Sequence, residues 1–278
     1  VEVIYVVDNG SGQDAVCQLE GLVKGTNAEL VCFAANLGIA AAHNGRLELL
    51  RQPGGACFRL VLPAASEGAR VLIHFGSSEK DAQRVAAEAG SAPLFRANLE
   101  RVSEIRSMFA QIADTVGRLD GFVNNAARFT EIDPLEVTEE QWDFIHSVNL
   151  KAAFFCCQEA ARLMRKHDGG RIVTISSLGG IRPWADHVHY CASKAGLIHM
   201  TRALAKALAP EISVNSVAPG VIPFAEKNEP RIAALVRETP ARRPGTGEEI
   251  ADAVSYFLTG SKFVTGQILA VDGGLSQR

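Results

Sequence analysis

From about Gly68 to the carboxyl end, short apolar runs alternate with longer amphipathic stretches, a rhythm that few folds can absorb. The apolar runs fall at 70–75, 93–97, 119–123, 171–176, 212–217 and 267–271. Each is short and apolar nearly throughout, as strands covered on both faces are. Between them the spacing predicts helices near 79–90, 102–117, 138–166, 189–209, 230–239 and 247–258. In the second of these, Ile105, Met108, Phe109, Ile112 and Val116 recur at three- and four-residue steps and make one apolar stripe. The pattern predicts an α/β fold, a doubly wound parallel sheet with helices on both faces.

The first 65 residues have another texture and predict an atypical, β-rich N-terminal segment. Residues 1–7 read as a strand running into Asp8, Asn9, Gly10, Ser11 and Gly12, a turn-rich stretch. Residues 46–50 and 56–62 flank Gln52, Pro53, Gly54 and Gly55, a β-hairpin signature. Two strands with no helix between them break the later alternation. A boundary is therefore expected near 63–67, separating a segment at 1–65 from a main domain at 66–278.

Composition narrows the function. Twenty-eight basic against 31 acidic residues give a formal charge of −3 without long runs of either sign, which argues against a nucleic-acid surface. The longest nearly apolar stretch, 30–42, is far short of the ~20 residues that span a bilayer. Cys17, Cys32, Cys57, Cys156, Cys157 and Cys191 lie at no metal-ligand spacing, and the seven histidines form no zinc pattern, so no metal is expected. A reduced, cytoplasmic setting and a small-molecule partner fit best.

Chemistry concentrates in the second half. Tyr190 and Lys194 stand four apart in a helical stretch, so their side chains share one face. A nearby ammonium favours tyrosinate, so the pair predicts a phenol whose pKa is lowered for acid–base work. Ser177 ends an apolar strand, at the edge where open α/β sheets bind ligands, and its hydroxyl can donate to a carbonyl. Asn124 and Asn125 close another strand, Asn149 interrupts a helix, and Pro219 with Gly220 ends a strand in a rigid turn. Trp184, His187 and His189 flank Tyr190; they either line a substrate pocket, cap a helix or face water.

Together these residues resemble the short-chain dehydrogenase/reductase family over roughly 67–276. The resemblance rests on Asn124, Asn125 and Ala126, on Asn149, Ser177, Tyr190-x-x-x-Lys194, Pro219 and Gly220, and on the closing Val264-Thr-Gly-Gln and Val271-Asp-Gly-Gly. It implies a Rossmann-like fold and hydride transfer between a nicotinamide and a carbonyl or alcohol. Tyr190 would pass the proton, Ser177 would hold the substrate oxygen, Lys194 would tune the tyrosine and bind the nicotinamide ribose, and Asn149 would support a relay water. Asn98 and Leu99 would border the adenine, Asn125 and Ala126 the cofactor channel, and Ile222 the carboxamide. Gly76, Ser77 and Ser78 follow the strand at 70–75 where an acid would grip the ribose of NAD, so NADP(H) is expected over NAD(H), with Ser77 a phosphate contact. Within the family the sequence is similar to 3-oxoacyl-carrier-protein reductases and related ketone reductases, and the family's usual assembly implies a homo-oligomer, a tetramer or dimer.

One part of the family pattern is missing. Thr-Gly-x-x-x-Gly-x-Gly, whose glycines admit the pyrophosphate, is absent before the strand at 70–75. Gly10-Ser-Gly12-Gln-Asp-Ala15 fits a Gly-x-Gly-x-x-Ala fingerprint after a strand, but about sixty residues upstream. The same end resembles the carboxyl-terminal part of a sensor histidine kinase ATP-binding domain, through residues 6–12, a helix-like 37–43, residues 44–49 and residues 53–63. There Asp8 would read adenine. Beside the reductase, the sequence thus admits a chimeric or truncated reductase with little cofactor binding, and an ATP-binding module acting through Asp8.

Overall fold

The structure, a computed structural model, describes residues 3–6, 28–33, 41–43, 46–48, 69–88, 91–223 and 229–277. Every expected strand of the main domain is present: β5 (Ala69–Phe75), β6 (Leu94–Arg96), β7 (Gly121–Asn124), β8 (Gly170–Ile175), β9 (Ile212–Pro219) and β10 (Ile268–Val271). They run parallel, with β6 on β5, and with β7, β8, β9 and β10 side by side. All of β9 and most of β8 are buried, as the unbroken apolar runs require.

Between β5 and β7 the sheet has a central position, and two early segments align with it. These are β1 (Val3–Val6) and β2 (Ala28–Phe33). Ile4 and Val31 are each level with Leu72 of β5 and with Phe122 of β7. One edge offers one set of N–H and C=O groups to an in-plane neighbour, so the position between β5 and β7 holds one strand. Of the strand expected at 1–7, residues 3–6 are strand, and the rest lies outside the described residues. A hairpin also forms, between β3 (Ala41–His43) and β4 (Arg46–Glu48), with His43 opposite Arg46. This corrects the helix-like reading of 37–43: Asn44-Gly45 between the strands is a stronger turn signal than the apolar spacing that suggested a helix. The turn expected at 52–55, the glycines after β1 and Asp8 lie outside the described residues.

The helices are α1 (Glu79–Glu88), α2 (Val102–Val116), α3 (Glu139–His146), α4 (Ala153–Met164), α5 (Val188–Leu208), α6 (Glu229–Glu238) and α7 (Gly247–Thr259). The α2 stripe is buried through Ile105, Met108, Phe109 and Ile112, with Val116 partly covered, and Phe109 meets Phe122 of β7 edge-on at 5.9 Å. Packing of α2 and α4 on one another, and of α7 on β8, β9 and β10, places the core on the sheet between helical layers. No helix among the described residues is long and apolar enough to cross a membrane.

The single helix expected over 138–166 is two helices joined by a π-helical turn, Ser147–Ala152. α3 starts at a reciprocal cap: Thr138 Oγ1 accepts from the Gln141 amide at 3.3 Å, and Gln141 Oε1 accepts from the Thr138 amide at 2.9 Å. The periodicity of an apolar stripe does not report one extra residue in a turn, and such turns cluster where a side chain has a task. Here that side chain is Asn149.

Candidate active site

Parallel strands deliver all their carboxyl ends to one edge of the sheet, and the expected site residues lie along it. Ser77 follows β5, Asn98 and Leu99 follow β6, Asn125 and Ala126 follow β7, Ser177 follows β8, and Pro219, Gly220 and Ile222 end and follow β9. Tyr190 and Lys194 enter from the first turns of α5, and Asn149 from the π turn.

Ser177 is extended and nearly buried, and its Oγ accepts from the Gly179 amide at 3.1 Å, which fixes the turn after β8. The Ser177 hydroxyl lies close enough to the Tyr190 phenol to favour its ionised form. One helical turn on, Lys194 Nζ donates to the Ile175 carbonyl at 2.9 Å and lies 5.9 Å from the centre of the Tyr190 ring. Both side chains are buried, Lys194 with 2% of its surface exposed.

Burial decides the electrostatics. It pushes the Tyr190 phenol up to about 12, with the nearby Ser177 hydroxyl opposing, and it brings Lys194 down to about 7. The lowered tyrosine pKa expected from the four-residue spacing is thus corrected. The lysine shares the same dry environment and loses its own charge readily near neutrality, so it does not offset the phenol's desolvation. At neutral pH the phenol is a proton donor, and the amine beside it is the group that changes charge.

Asn149, fully buried, spends its amide on two neighbours. Its Oδ1 accepts from the Arg128 amide at 2.6 Å, while Nδ2 donates to the Arg128 carbonyl at 2.9 Å and to Ser193 Oγ at 3.0 Å. Ser193 in turn donates to the Tyr190 carbonyl at 2.7 Å. Both amide N–H bonds are used, so the Asn149 side chain positions the α5 turn that carries Tyr190. Its expected part in a proton relay has no spare side-chain donor to draw on.

The remaining expected residues divide. Asn98 is exposed, its Oδ1 accepting from the Glu100 amide at 3.0 Å, and Ser77 is exposed beyond β5. Leu99, Ala126 and Ile222 belong to the apolar core, so any ligand contact there falls chiefly to their backbones. Gly220 is required by close approach: a Cβ there would lie 2.6 Å from the Asp272 Cα. Asn125 is buried. Asn124, its neighbour, carries buried Nδ2 and Oδ1 atoms with no hydrogen-bond partner.

Sequence reasoning missed Arg128. Its guanidinium is 8% exposed, and its Nη1 donates to the Phe144 carbonyl at 2.9 Å and pairs with Glu100 at 2.5 Å. The guanidinium also lies 4.0 Å from the centre of the Phe144 ring. It thereby ties the loop after β6 to the helix that leads into Asn149. Its only signal was an arginine directly after a strand-end Asn-Asn-Ala-Ala, which does not distinguish a buried clamp from a solvated side chain. His187 and His189 are buried, with His187 Nδ1 2.9 Å from the Thr130 carbonyl and His189 Nε2 2.6 Å from Thr130 Oγ1. They hold the segment after Arg128 against α5. Among the described residues no group of His, Cys, Asp and Glu is arranged to hold a metal.

The geometry has close relatives. Residues 55–276 match the family model described as enoyl-(acyl carrier protein) reductase. The chain is 37% identical to a 3-oxoacyl-[acyl-carrier-protein] reductase of Thermotoga maritima, over 76% of this chain and 89% of that protein. It is 32% identical to a 1-cyclohexenylcarbonyl-CoA reductase of Streptomyces collinus, over 78% of this chain and 81% of that protein. The crystal structure of a candidate short-chain alcohol dehydrogenase from Sinorhizobium meliloti 1021 superposes with a TM-score of 0.68 at 30% identity, covering 74% of this chain and 86% of that one. The match begins ahead of β5 and runs through β10, and it carries the sheet, the strand-end residues and α5 together. The chain belongs to the short-chain dehydrogenase/reductase family of NAD(P)-dependent oxidoreductases.

Proposed function

We propose that the protein is an NADP(H)-preferring oxidoreductase that interconverts a ketone or aldehyde with an alcohol through Ser177, Tyr190, Lys194 and Asn149. The observation that carries this reading is the burial of Ser177, Tyr190 and Lys194 together, with Lys194 one turn from the tyrosine and its Nζ on the Ile175 carbonyl, at the carboxyl edge of a parallel sheet. A buried, protonated phenol is a competent donor to a carbonyl oxygen, and the Ser177 hydroxyl near it can hold the same oxygen. Bound nicotinamide supplies the hydride or takes it up. Asn149 acts through Ser193 by holding the first turn of α5.

The residues present fit the nicotinamide end of the cofactor. Lys194 places one N–H on Ile175 and has others for a ribose diol, and the unpartnered Asn124 amide is a buried polar group in need of a partner. Asn98, Leu99, Asn125, Ala126, Pro219, Gly220 and Ile222 would line the rest. The Gly-Ser-Ser run after β5, with Ser77 exposed, favours a 2′-phosphate over a bare ribose. Exposed Tyr256, Phe263 and Leu269, on and around α7 and β10, offer a second copy an apolar face at the edge of the sheet.

The missing Thr-Gly-x-x-x-Gly-x-Gly favours a second reading, a chimeric reductase with little cofactor binding. Fluorescence titration with NADPH, NADH and ATP separates the readings. Saturable NADPH binding, weakened in Lys194→Ala, is expected. No binding up to millimolar cofactor would leave the second reading, and ATP binding alone would point to Asp8.

A further inference from the structure

Phe129, Trp184 and His187 make a wall of three rings beside that of Tyr190. Phe129 stands edge-on to Tyr190 with centroids 4.8 Å apart, and Trp184 lies parallel to it, within 10°, at 6.2 Å. His187 packs against both, 4.5 Å from Phe129 and 5.7 Å from Trp184. The wall is built in. His187 is bonded to the Thr130 carbonyl, the Ile132 amide donates to Asp186 at 3.0 Å, and a Cβ at Gly179 would come within 3.1 Å of the Trp184 ring. Yet Phe129, the ring at its front, is 57% exposed. An apolar ring held by aromatic partners and still open to solvent, beside the group that moves the proton, is a surface for another flat apolar molecule.

An acidic group stands at the wall as well, Glu131 Oε2 lying 3.9 Å from His187 Nε2. Glu131 is the first of six acidic residues that the sequence holds, without lysine or arginine, between Arg128 and Lys151. A carboxylate at the wall disfavours a carbonyl carried on a phosphate-bearing thioester and does not affect an uncharged one.

Resting on the reductase reading, we propose that the substrate is a free, uncharged, flat carbonyl compound, an aryl or fused cyclic ketone, seated on Phe129 and Trp184, with His187 packed behind them. In the reduction the carbonyl carbon gains a hydride from the reduced nicotinamide, which is oxidised, and the carbonyl oxygen gains the Tyr190 proton. The C=O π bond breaks, the product is the secondary alcohol, and the phenol regains its proton from solvent.

1-Tetralone and acetoacetyl-CoA are the probes, compared by kcat/KM and by quenching of Trp184 fluorescence in a Trp142→Phe background. Tetralone is expected to be preferred at least about tenfold, with Phe129→Ala lowering its kcat/KM by about tenfold or more while NADPH affinity is unchanged. Saturable quenching by tetralone, lost in Phe129→Ala, is expected with or without cofactor. Preference for the thioester, or tetralone turnover indifferent to Phe129→Ala, overturns the proposal. If NADPH does not bind and neither probe is reduced, the reductase reading fails, and the quenching then decides for or against the wall on its own.

Discussion

Asn149 engages both backbone polar groups of one residue, accepting from the Arg128 amide at 2.6 Å and donating to the Arg128 carbonyl at 2.9 Å. A side-chain amide that satisfies a backbone N–H and C=O together acts as a short piece of sheet ladder set inside a helix. It explains why the π turn falls at Ser147–Ala152, because the turn is where the helix yields to bring Asn149 to β7's end.

The first prediction concerns that link. Asn149→Asp keeps the acceptor but loses both donors, to the Arg128 carbonyl and to Ser193, and should cost about 1–3 kcal/mol in urea unfolding. Arg128→Met should cost about 1 kcal/mol, since Glu100 is half exposed and can return to water while the Phe144 carbonyl loses one donor and keeps Ser147 Oγ. If Arg128 positions the site, kcat falls in Arg128→Met more than KM for the carbonyl rises. A purely structural role would lower the melting point and leave the activity per folded molecule unchanged.

The second concerns pH. Lys194 has a folded pKa lowered to about 7, so the unfolded chain binds the extra proton between there and the ordinary lysine value. Stability should therefore rise as pH is raised from about 7 towards 10. Tyr190 has a folded pKa raised to about 12, so the folded chain keeps a proton that the unfolded chain gives up above about 10, and stability should fall there. The urea midpoint should accordingly climb and then drop across the alkaline range. Lys194→Met should remove the climb and Tyr190→Phe should blunt the drop. Tyr190→Phe should also lower kcat by about a hundredfold or more, as loss of a general acid does.

These groups show what the sequence made legible. Strands buried on both faces announce themselves by apolar runs, and so the sheet from β5 to β10 was readable, as was the Tyr190–Lys194 face of α5. Spacing alone places side chains together but says nothing of how dry their surroundings are, which is why the direction of the tyrosine shift was read wrongly. Arg128 was invisible for the same reason: a buried guanidinium and a solvated one look alike until Glu100 and Phe144 are brought to it from distant segments. At the other end, the strand at 28–33 escaped notice because its last four residues run on into the longer apolar stretch 30–42, which shows no strand-like alternation.

A third prediction follows from Asn124, whose buried amide lacks partners beside the strand ends that would face a cofactor. Replacing an unsatisfied buried amide with an apolar group of similar shape is neutral or stabilising. Asn124→Leu should raise the urea midpoint or leave it unchanged in the protein alone, and weaken NADPH binding in the same titration. A clear loss of stability would mean that the amide has a structural partner. Unchanged NADPH affinity would mean that the cofactor does not use it.

The fourth tests the central sheet position. Ile4 and Val31 are both level with Leu72 and Phe122, so proline at either removes a donor from the ladder that its segment makes. If the segments are interchangeable occupants, each single proline is tolerated because the other segment takes the position. Ile4→Pro with Val31→Pro then costs far more than the sum of the two, a coupling that additive, independent sites do not show. Urea unfolding of the two single variants and the double variant measures it. The full loss in one single variant would assign the position to that segment alone. Were it Ile4→Pro, the turn Asp8 to Gly12 would follow the central strand directly, as a dinucleotide-binding turn must.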